Sequence, residues 1–598
     1  MVSKVDKECV NANICKYFRP PIYYVDRSTK HVLSDDIIQD LELEETIDVS
    51  GTPILDYVFD TSCNLAQIVR SDMAKYYTTN HTFIKNTKSL IKKITPGVHI
   101  EGYEDLDNND VYDKWLELKG DTDFKDKYNY IEWEQFEYLN NNSMFLQILS
   151  IYNLSAPVIA LLVPVISLFI PFLVIQARGS ELSFPEYIII FKEVAQRHAL
   201  GKLITRFSDV SWNERFYLLV SASIYLFSLY QNTQICIKFY NNMFKIHDTL
   251  FTLCRFMEST IKKAEIFIKN TSKMKAYRKF NDDVARQMET MNTIVKEIRN
   301  IQPFCFSYKK LSDMGDVLKC FYGLHCNEDY NETISFAFGF NGYLSNLEGI
   351  KRNILQGTMS YGLLKNHKTS NDKTKGENEM IAKNIYYPTL VNESPQKNNI
   401  KLQKDCIITG PNASGKTTML KSVLINILLT QQYGCGFYDK MSFVPYHYLH
   451  CYLNVPDTSG RDSLFQSESR KCKKILDKIN KLGGSVRHFC LFDELYSGTN
   501  PKEAVKCGYA YLSHLSNTAN IQYMLTTHYT ELCEKFLKKE TIENYKMSVK
   551  VDEATSMITY TYKIVKGINN VDGGVEVLRQ MNYPASILNK MKEIDSLT

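Results

Sequence analysis

A glycine-containing loop in the last third of the chain has the residue types that bind a nucleotide's phosphates. Its nine residues fit the pattern G-x-x-x-x-G-K-[ST] and are Gly410, Pro411, Asn412, Ala413, Ser414, Gly415, Lys416, Thr417 and Thr418. In such a loop the backbone N–H groups point inward, and the N-terminus of the following helix adds positive potential. The lysine neutralises phosphate charge and the next hydroxyl binds Mg²⁺. The sequence therefore predicts a site for a nucleoside triphosphate and Mg²⁺.

Two acidic residues follow a second apolar stretch. Residues 488–492 predict a buried strand that ends in Asp493 and Glu494. In nucleotide hydrolases with this arrangement, the first acid holds Mg²⁺ together with the loop hydroxyl, here Thr417. The second acid lies near the γ-phosphate and can orient and deprotonate the attacking water. We therefore expect Asp493 to be a metal ligand and Glu494 to be the catalytic base.

A histidine follows a third predicted strand, residues 521–525. The segment Thr526-Thr527-His528 begins where that strand ends. Open α/β sheets bind their ligands at the carboxyl ends of their strands. His528 is therefore expected to contact the γ-phosphate.

These residues require an α/β P-loop domain at the C-terminal end of the chain. Upstream, apolar residues recur with helical spacing, which predicts a mainly α-helical core. The predicted segments are residues 1–55 (unassigned), 56–143 (first half of a helical core), 144–240 (a hydrophobic insert), 241–364 (returning lever helices), 365–380 (a flexible loop) and 381–598 (the nucleotide-binding domain).

The hydrophobic insert contains two uncharged stretches, residues 144–177 and 216–237. Both exceed the ~20 residues that a helix needs to cross a bilayer. A simple two-span hairpin would place the basic segment between the two stretches on the other side of the membrane from the nucleotide domain. This contradicts the usual preference of lysines and arginines for the cytosolic side. A re-entrant hairpin bent at Pro164 would avoid this conflict. A buried helical core or a subunit interface is the alternative to any membrane role.

Composition indicates where in the cell the protein is expected and which cysteine sites are excluded. The chain has 598 residues, a net charge of +4 and 15 cysteines without a C-x-x-C pair. This cysteine spacing argues against zinc knuckles and redox motifs. The first 23 residues lack the apolar run of a signal peptide. We therefore expect an intracellular protein, in the cytoplasm or nucleus or at the cytosolic face of a membrane.

Taken together, the motifs resemble the ATPase domain of the MutS family over residues 381–594. Besides the phosphate loop, the similar segments are Phe443-Val444-Pro445, Asp457 to Glu468, Asp493 to Thr499, Thr527 to Leu532, Tyr562 to Gly567, Gly573 to Val575, and Tyr583-Pro584. The resemblance implies an ABC-type ATPase that works as a homodimer or as a MutS-like heterodimer. It also implies that Ser463 reaches the partner's γ-phosphate and that Tyr562 stacks on adenine.

The chain departs from this family upstream of the ATPase domain. The N-terminal mismatch-recognition and connector domains are expected to be missing. The mismatch wedge Phe-x-Glu occurs at Phe191-Lys192-Glu193, and we interpret it as a chance match. The uncharged stretches stand where relatives have a DNA clamp. A DNA-acting ATPase of mismatch repair or recombination is expected. The alternatives are a membrane-associated MutS-like ATPase outside mismatch repair and a non-enzymatic switch, and the intact Lys416, Asp493 and Glu494 argue against the switch.

Overall fold

A computed structural model describes residues 4–48, 50–59, 63–97, 100–177, 179, 183–197, 211–303, 312–366, 379–453, 463–482, 486–551, 558–571, 578–579, 581 and 583–595. The chain falls into two compact units. The first consists of Met1–Ala12, Asp105–Ile261 and Gln287–Ser335, and the second of Asn13–Glu104, Lys262–Arg286 and Phe336–Thr598. The six segments predicted from the sequence are not tested by this division and stay a prediction.

Helices dominate the chain upstream of residue 356. The helices that the structure describes, in chain order, are α1 Lys4–Tyr17, α2 Asp35–Asp40, α3 Ile54–Phe59, α4 Asn64–Ala74, α5 His81–Lys93, α6 Asn108–Lys119, α7 Phe124–Lys127, α8 Ser143–Ala177, α9 Phe184–Arg197, α10 Trp212–Thr271, α11 Arg278–Arg299, α12 Met314–Cys326, α13 Glu328–Leu355, α14 Lys416–Tyr433, α15 Leu464–Leu482, α16 Pro501–Asn517, α17 Thr530–Phe536 and α18 Ala585–Asp595.

The first unit is built around buried aromatic side chains. Tyr112 and Trp115 of α6 are fully buried, and Phe124 stacks on His325 with 3.8 Å between ring centroids. Close backbone packing fixes the start of α8. A Cβ on Gly315 of α12 would lie 2.1 Å from the carbonyl oxygen of Ser143, so only glycine permits this approach.

The uncharged residues 144–177 form one continuous helix, α8. The prediction of a hairpin bent at Pro164 was therefore wrong. A proline removes one backbone hydrogen bond and can kink a helix, but the other bonds of so long a helix carry it through. The second uncharged stretch lies within the 60-residue helix α10. Tyr225 Oη donates to the Ala160 carbonyl at 3.2 Å, and the Cys236 thiol lies 3.8 Å from the Leu154 carbonyl oxygen. The two helices therefore run antiparallel.

The second unit contains a six-stranded sheet with a parallel centre. The strands of the chain are β1 Lys30–Val32, β2 Tyr76–Thr78, β3 Ser360–Tyr361, β4 Leu363–Leu364, β5 Met380–Ile385, β6 Asn398–Leu402, β7 Asp405–Thr409, β8 Cys435–Gly436, β9 Lys440–Phe443, β10 Tyr448–Tyr452, β11 His488–Asp493, β12 Ile521–Thr527, β13 Ile542–Val551 and β14 Ile558–Lys566. The sheet order is β10-β11-β12-β7-β13-β14, with β4-β9-β5-β6 forming a second sheet. All neighbours in the large sheet are parallel except β13 and β14.

The register of the large sheet brings the predicted site residues to one edge. Thr409 lies opposite Thr527, and Asp493 lies opposite Thr526. Strands β7 and β12 are buried along their whole length, as expected for central parallel strands covered on both faces. The predicted order of strand, glycine loop and helix around Lys416 is confirmed, because β7 leads directly through the loop into α14.

Candidate functional site

The phosphate loop links β7 to α14 and has the backbone of a tight turn. Ala413 and Gly415 have φ angles of +62° and +89°. Glycine is needed at 415 because its φ is in the left-handed region and a Cβ there would lie 3.3 Å from Tyr562 Cδ1. Lys416 is 6% exposed, and its Nζ donates to the carbonyls of Gly410 at 3.0 Å and Pro411 at 3.1 Å.

Burial lowers the pKa of Lys416, whereas the nearby carboxylates of Glu494 and Asp493 act to raise it. A buried ammonium that has only carbonyl oxygens and a histidine as partners is poised for a stronger anion. Ser414 supports the same interpretation. Its hydroxyl is buried and has no hydrogen-bond partner among the residues that the structure describes. It is thus a polar group available to a phosphate oxygen at the base of the loop.

The two predicted metal ligands are in direct contact. Thr417 Oγ1 donates to Asp493 Oδ2 at 2.8 Å, and the hydroxyl of Thr526 donates to the other oxygen of the same carboxylate. Mg²⁺ usually takes one or two protein oxygens together with waters and substrate phosphates. The described residues hold no group of three or more acidic, histidine or cysteine side chains that could bind a metal alone. Thr417 and Asp493 therefore fit an ion held jointly with a nucleotide.

Glu494 and His528 form a second polar pair beside Lys416. Glu494 Oε1 lies 2.7 Å from His528 Nε2, and the same nitrogen lies 3.2 Å from Lys416 Nζ. The hydrogen bond from His528 lowers the pKa of Glu494, and the electrostatic interactions with His528 and Lys416 act in the same direction. The carboxylate is therefore ionised at neutral pH and is able to accept a proton.

These groups border an open cleft of about 1150 Å³. Lys416, Thr417 and Glu494 line the cleft. Its lining also includes aromatic and apolar side chains that suit a nucleobase, namely Tyr386, Tyr387, Leu390, Pro395, Met547, Tyr560 and Tyr562. The predicted adenine contact, Tyr562, lies here next to the phosphate loop. Tyr386 and Tyr387 were missed, because they precede the stretch of sequence in which an aromatic residue was sought.

Asn398 holds Tyr562 in an unusual backbone conformation. Tyr562 has a φ of +53°, which is uncommon for a residue with a side chain. The Asn398 side chain donates to the Tyr562 carbonyl and accepts from the Ile564 N–H, both at 2.9 Å. Asn398 is 7% exposed, so these bonds are shielded from water. No motif could identify this residue, because its partners lie about 165 positions away in sequence.

Ser463 lies at the N-terminus of α15 and is exposed. Its backbone N–H donates to Gln466 Oε1 at 3.1 Å, and its Oγ accepts from the Gln466 N–H at 3.3 Å, which is a reciprocal helix cap. Ser463 is not among the residues that line the cleft of its own chain. Residues 457–462 of the similar loop, and Gly573 to Val575, lie outside the described residues.

A buried carboxylate ties α15 to the loop that follows Glu494. Glu468 is 2% exposed and accepts hydrogen bonds from the Ser497 N–H at 3.0 Å, the Ser497 hydroxyl at 2.9 Å and the Gly498 N–H at 3.1 Å. The connected segment includes Glu494 and Tyr496, whose φ angles are +50° and +61°. From the sequence, Glu468 was named only as the last residue of the MutS-like segment that begins at Asp457. Its hydrogen bonds to the segment after Glu494 were not predicted.

Residues 406–597 match the family model for MutS domain V. This part of the chain is a MutS-family domain. The matched range contains the phosphate loop, the Asp493-Glu494 pair, His528 and Tyr562. The resemblance predicted from these motifs is therefore confirmed for the C-terminal part of the chain.

Named relatives match part of this chain. "Endonuclease MutS2" of Streptococcus thermophilus (strain ATCC BAA-491 / LMD-9) is 29% identical over 218 residues, which are 36% of this chain and 26% of the relative. "DNA mismatch repair protein MutS" of Orientia tsutsugamushi (strain Ikeda) is 27% identical over 231 residues, covering 37% and 24%. "Endonuclease MutS2" of Staphylococcus aureus is 27% identical over 223 residues, covering 36% and 30%. The chain thus spans about a quarter of the length of these relatives.

Proposed function

We propose that this chain hydrolyses ATP with Mg²⁺ in its MutS domain V and works as a dimer. The observation that supports this most is the polar network at the edge of the sheet. It joins the ammonium of Lys416 to His528 and Glu494, while Thr417 contacts Asp493 next to them. A lysine, a hydroxyl–carboxylate pair and an ionised base around one cleft are the groups that phosphoryl transfer to water needs.

Each residue then has a distinct role. Lys416 and the N–H groups of the loop bind the β- and γ-phosphates, and Thr417 with Asp493 holds Mg²⁺, which neutralises phosphate charge when bound. Glu494 orients the attacking water and accepts its proton. His528 contacts the γ-phosphate, and Tyr562 stacks on the adenine. Ser463 completes the site of the partner subunit.

The base is tested by Glu494→Gln in the full-length chain. We expect ATP binding to be retained and turnover to fall by about 10²–10⁴, which is the usual contribution of a positioned base. Glu531→Gln is a matched control, because Glu531 is 59% exposed in the same domain and pairs with Lys535 one turn away. Hydrolysis by Glu494→Gln at the rate of that control would show that Glu494 is not the base.

Mixing two inactive variants tests whether Ser463 acts across the dimer. Ser463→Ala should bind ATP but turn over slowly. In a dimer of one Ser463→Ala chain and one Glu494→Gln chain, action in trans places both defects in one site and leaves the other intact. Random 1:1 mixing should then restore about a quarter of the wild-type rate, since half of the dimers are mixed and each has one intact site. Failure to restore activity, in mixtures shown to contain mixed dimers, would exclude action in trans.

The work done by this ATPase is proposed from the relatives. Their names describe mismatch repair and an endonuclease, so we propose that the chain acts on DNA through ATP-driven movement of its helices. Duplex DNA binding with a steep dependence on salt concentration would support this. The second candidate is a membrane-associated ATPase outside mismatch repair. It is favoured by one observation, the exposed uncharged surface of α8.

A further inference from the structure

Helix α8 has the composition of a membrane span without the burial of a core helix. Its part Ser143–Val163 has a mean hydropathy of 1.8, and it is the one helix in the described parts of the chain that is long and apolar enough to cross a bilayer. Core helices of soluble proteins can have the same composition, but they are mostly buried. Here only 17% of the apolar window is buried.

The exposure of α8 extends over more than half of its circumference. Successive helical residues point about 100° apart, so five exposed positions among six consecutive residues span an arc of about 200°. These positions are Val158 at 56%, Ile159 at 47%, Leu161 at 55%, Leu162 at 43% and Val163 at 54% exposed. The remaining side, at Ala160, contacts α10 through Tyr225. A helix that docks in a protein groove exposes a narrower apolar stripe, of about 100°. An apolar arc this wide is suited to the hydrocarbon of lipid.

Helix α10 has a second uncharged stretch of matching length, which is less apolar than α8 because it contains Gln231, Asn232 and Gln234. Its residues 216–237 are uncharged and include Ile224, Leu226 and Phe227, which are 60–64% exposed. At 1.5 Å per residue, this stretch is about 33 Å long, close to the ~30 Å of a hydrocarbon core. The contacts of Tyr225 with Ala160 and of Cys236 with Leu154 hold it antiparallel to α8.

Both ends of the α10 stretch carry the side chains that favour a membrane interface. At one end, Trp212 is 82% exposed and its ring lies 5.2 Å from the Arg215 guanidinium. At the other end, Lys238 is followed by Tyr240 and Phe244, which are 39% and 61% exposed. Aromatic rings concentrate at the headgroup level, and long cationic side chains extend from there into water.

We propose that α8 and residues 216–237 of α10 cross a lipid bilayer as an antiparallel pair. The described residues between them, 183–197 and 211–215, then lie on the opposite side from the flanking residues. The charge conflict expected for such a two-span hairpin is small. Residues 178–215 contain six lysines and arginines, and the twenty residues before residue 144 and the twenty after residue 237 together contain five. The two sides differ by one positive charge, so the bias against this orientation is weak.

The test is flotation of the full-length chain with neutral phosphatidylcholine vesicles. We expect the wild-type chain to float, to resist extraction by carbonate and 1 M salt, and to be released only by detergent. Ile159→Lys places a charge near the centre of α8 and should lower the ratio of floating to free chain by about a hundredfold. Ile266→Lys is the matched control, because the two isoleucines are 47% and 52% exposed but Ile266 lies outside the uncharged stretches. The control should float like the wild type.

Three outcomes would overturn the proposal. The first is a chain that stays soluble and monodisperse without detergent. The second is release by salt alone from anionic vesicles with no binding to neutral ones, which would indicate surface electrostatics. The third is a soluble oligomer that Ile159→Lys dissociates, which would show that a second copy covers α8. None of these outcomes depends on ATP hydrolysis. The Lys416→Ala chain should therefore float normally even if the ATPase proposal fails.

Discussion

Replacing Glu468 by alanine should slow ATP turnover without weakening ATP binding. Glu468 belongs to the second turn of α15, the helix that Ser463 caps, and it holds the segment that follows Glu494 through Ser497 and Gly498. It contacts neither the phosphate loop nor Tyr562. We therefore expect Glu494 to be displaced while the residues proposed to bind ATP keep their positions.

The size of the effect follows from three hydrogen bonds to one buried carboxylate. Bonds to a charged acceptor contribute roughly 1.5–3 kcal/mol each, but Ser497 is exposed and water can replace part of its share. We expect the free energy of unfolding to fall by about 2–4 kcal/mol. Misplacement of a catalytic group by about 1 Å can cost a factor of 10², so kcat should fall by roughly ten- to a hundredfold. Glu468→Gln keeps one accepting oxygen, so its free energy of unfolding should fall by about half as much as that of Glu468→Ala.

The assay is steady-state phosphate release with KM and kcat determined separately, at a temperature where melting curves show each variant to be folded. Asp477→Ala is the control on the same helix, because its carboxylate is 59% exposed and pairs with Lys473 one turn away. It should change neither constant. A folded Glu468→Ala chain with an unchanged kcat, or with a raised KM and an unchanged kcat, would refute the reasoning.

Two further predictions follow from other buried polar groups. Asn398→Ala should raise the KM for ATP with little change in kcat, because Tyr562 loses its backbone support; equal affinity for ATP in both chains, measured by titration, would contradict this. Acid should destabilise the fold, since burial and neighbouring histidines lower the pKa of His31 and His488 to about 4 and of His450 to about 3. The unfolded chain then binds more protons below about pH 6.5, so stability is complete above that pH and falls towards pH 4 by up to about 1.4 kcal/mol per pH unit for each histidine. Urea unfolding at pH 7.5 and pH 5.5 measures this slope, and equal midpoints would exclude it.

The groups proposed for the chemistry could be found from the sequence because their spacing is local. A strand, a glycine loop and a helix N-terminus are consecutive, so Lys416 and Thr417 are identified by their neighbours in the chain. Asp493 and His528 were found for the same reason, each lying at or just beyond the end of an apolar strand. Parallel pairing then brings these strand ends together without any further information.

The supporting residues could not be found in this way. Asn398 and its partner Tyr562 are separated by 164 positions, and Glu468 and Ser497 by 29. A single asparagine or glutamate has no pattern of its own, and only the folded chain shows that it is buried and bonded. The expectation of a hairpin at Pro164 was wrong for a related reason. Proline lowers local helix stability, but the rest of α8 decides whether the helix continues.

The position of His528 links phosphate contact to the strength of the base. Its Nε2 lies 2.7 Å from Glu494 and 3.2 Å from Lys416, and one ring nitrogen cannot donate to the carboxylate and accept from the ammonium at the same time. In the donating tautomer, the hydrogen bond lowers the pKa of Glu494 and weakens it as a proton acceptor. Once that N–H donates to a phosphate oxygen instead, Glu494 loses the bond and becomes more basic. With the roles proposed for these residues, a histidine placed between the lysine and the glutamate keeps the base weak until a phosphate is present. On this reasoning, His528→Ala should leave Glu494 more basic in the free protein, while removing the proposed contact with the γ-phosphate.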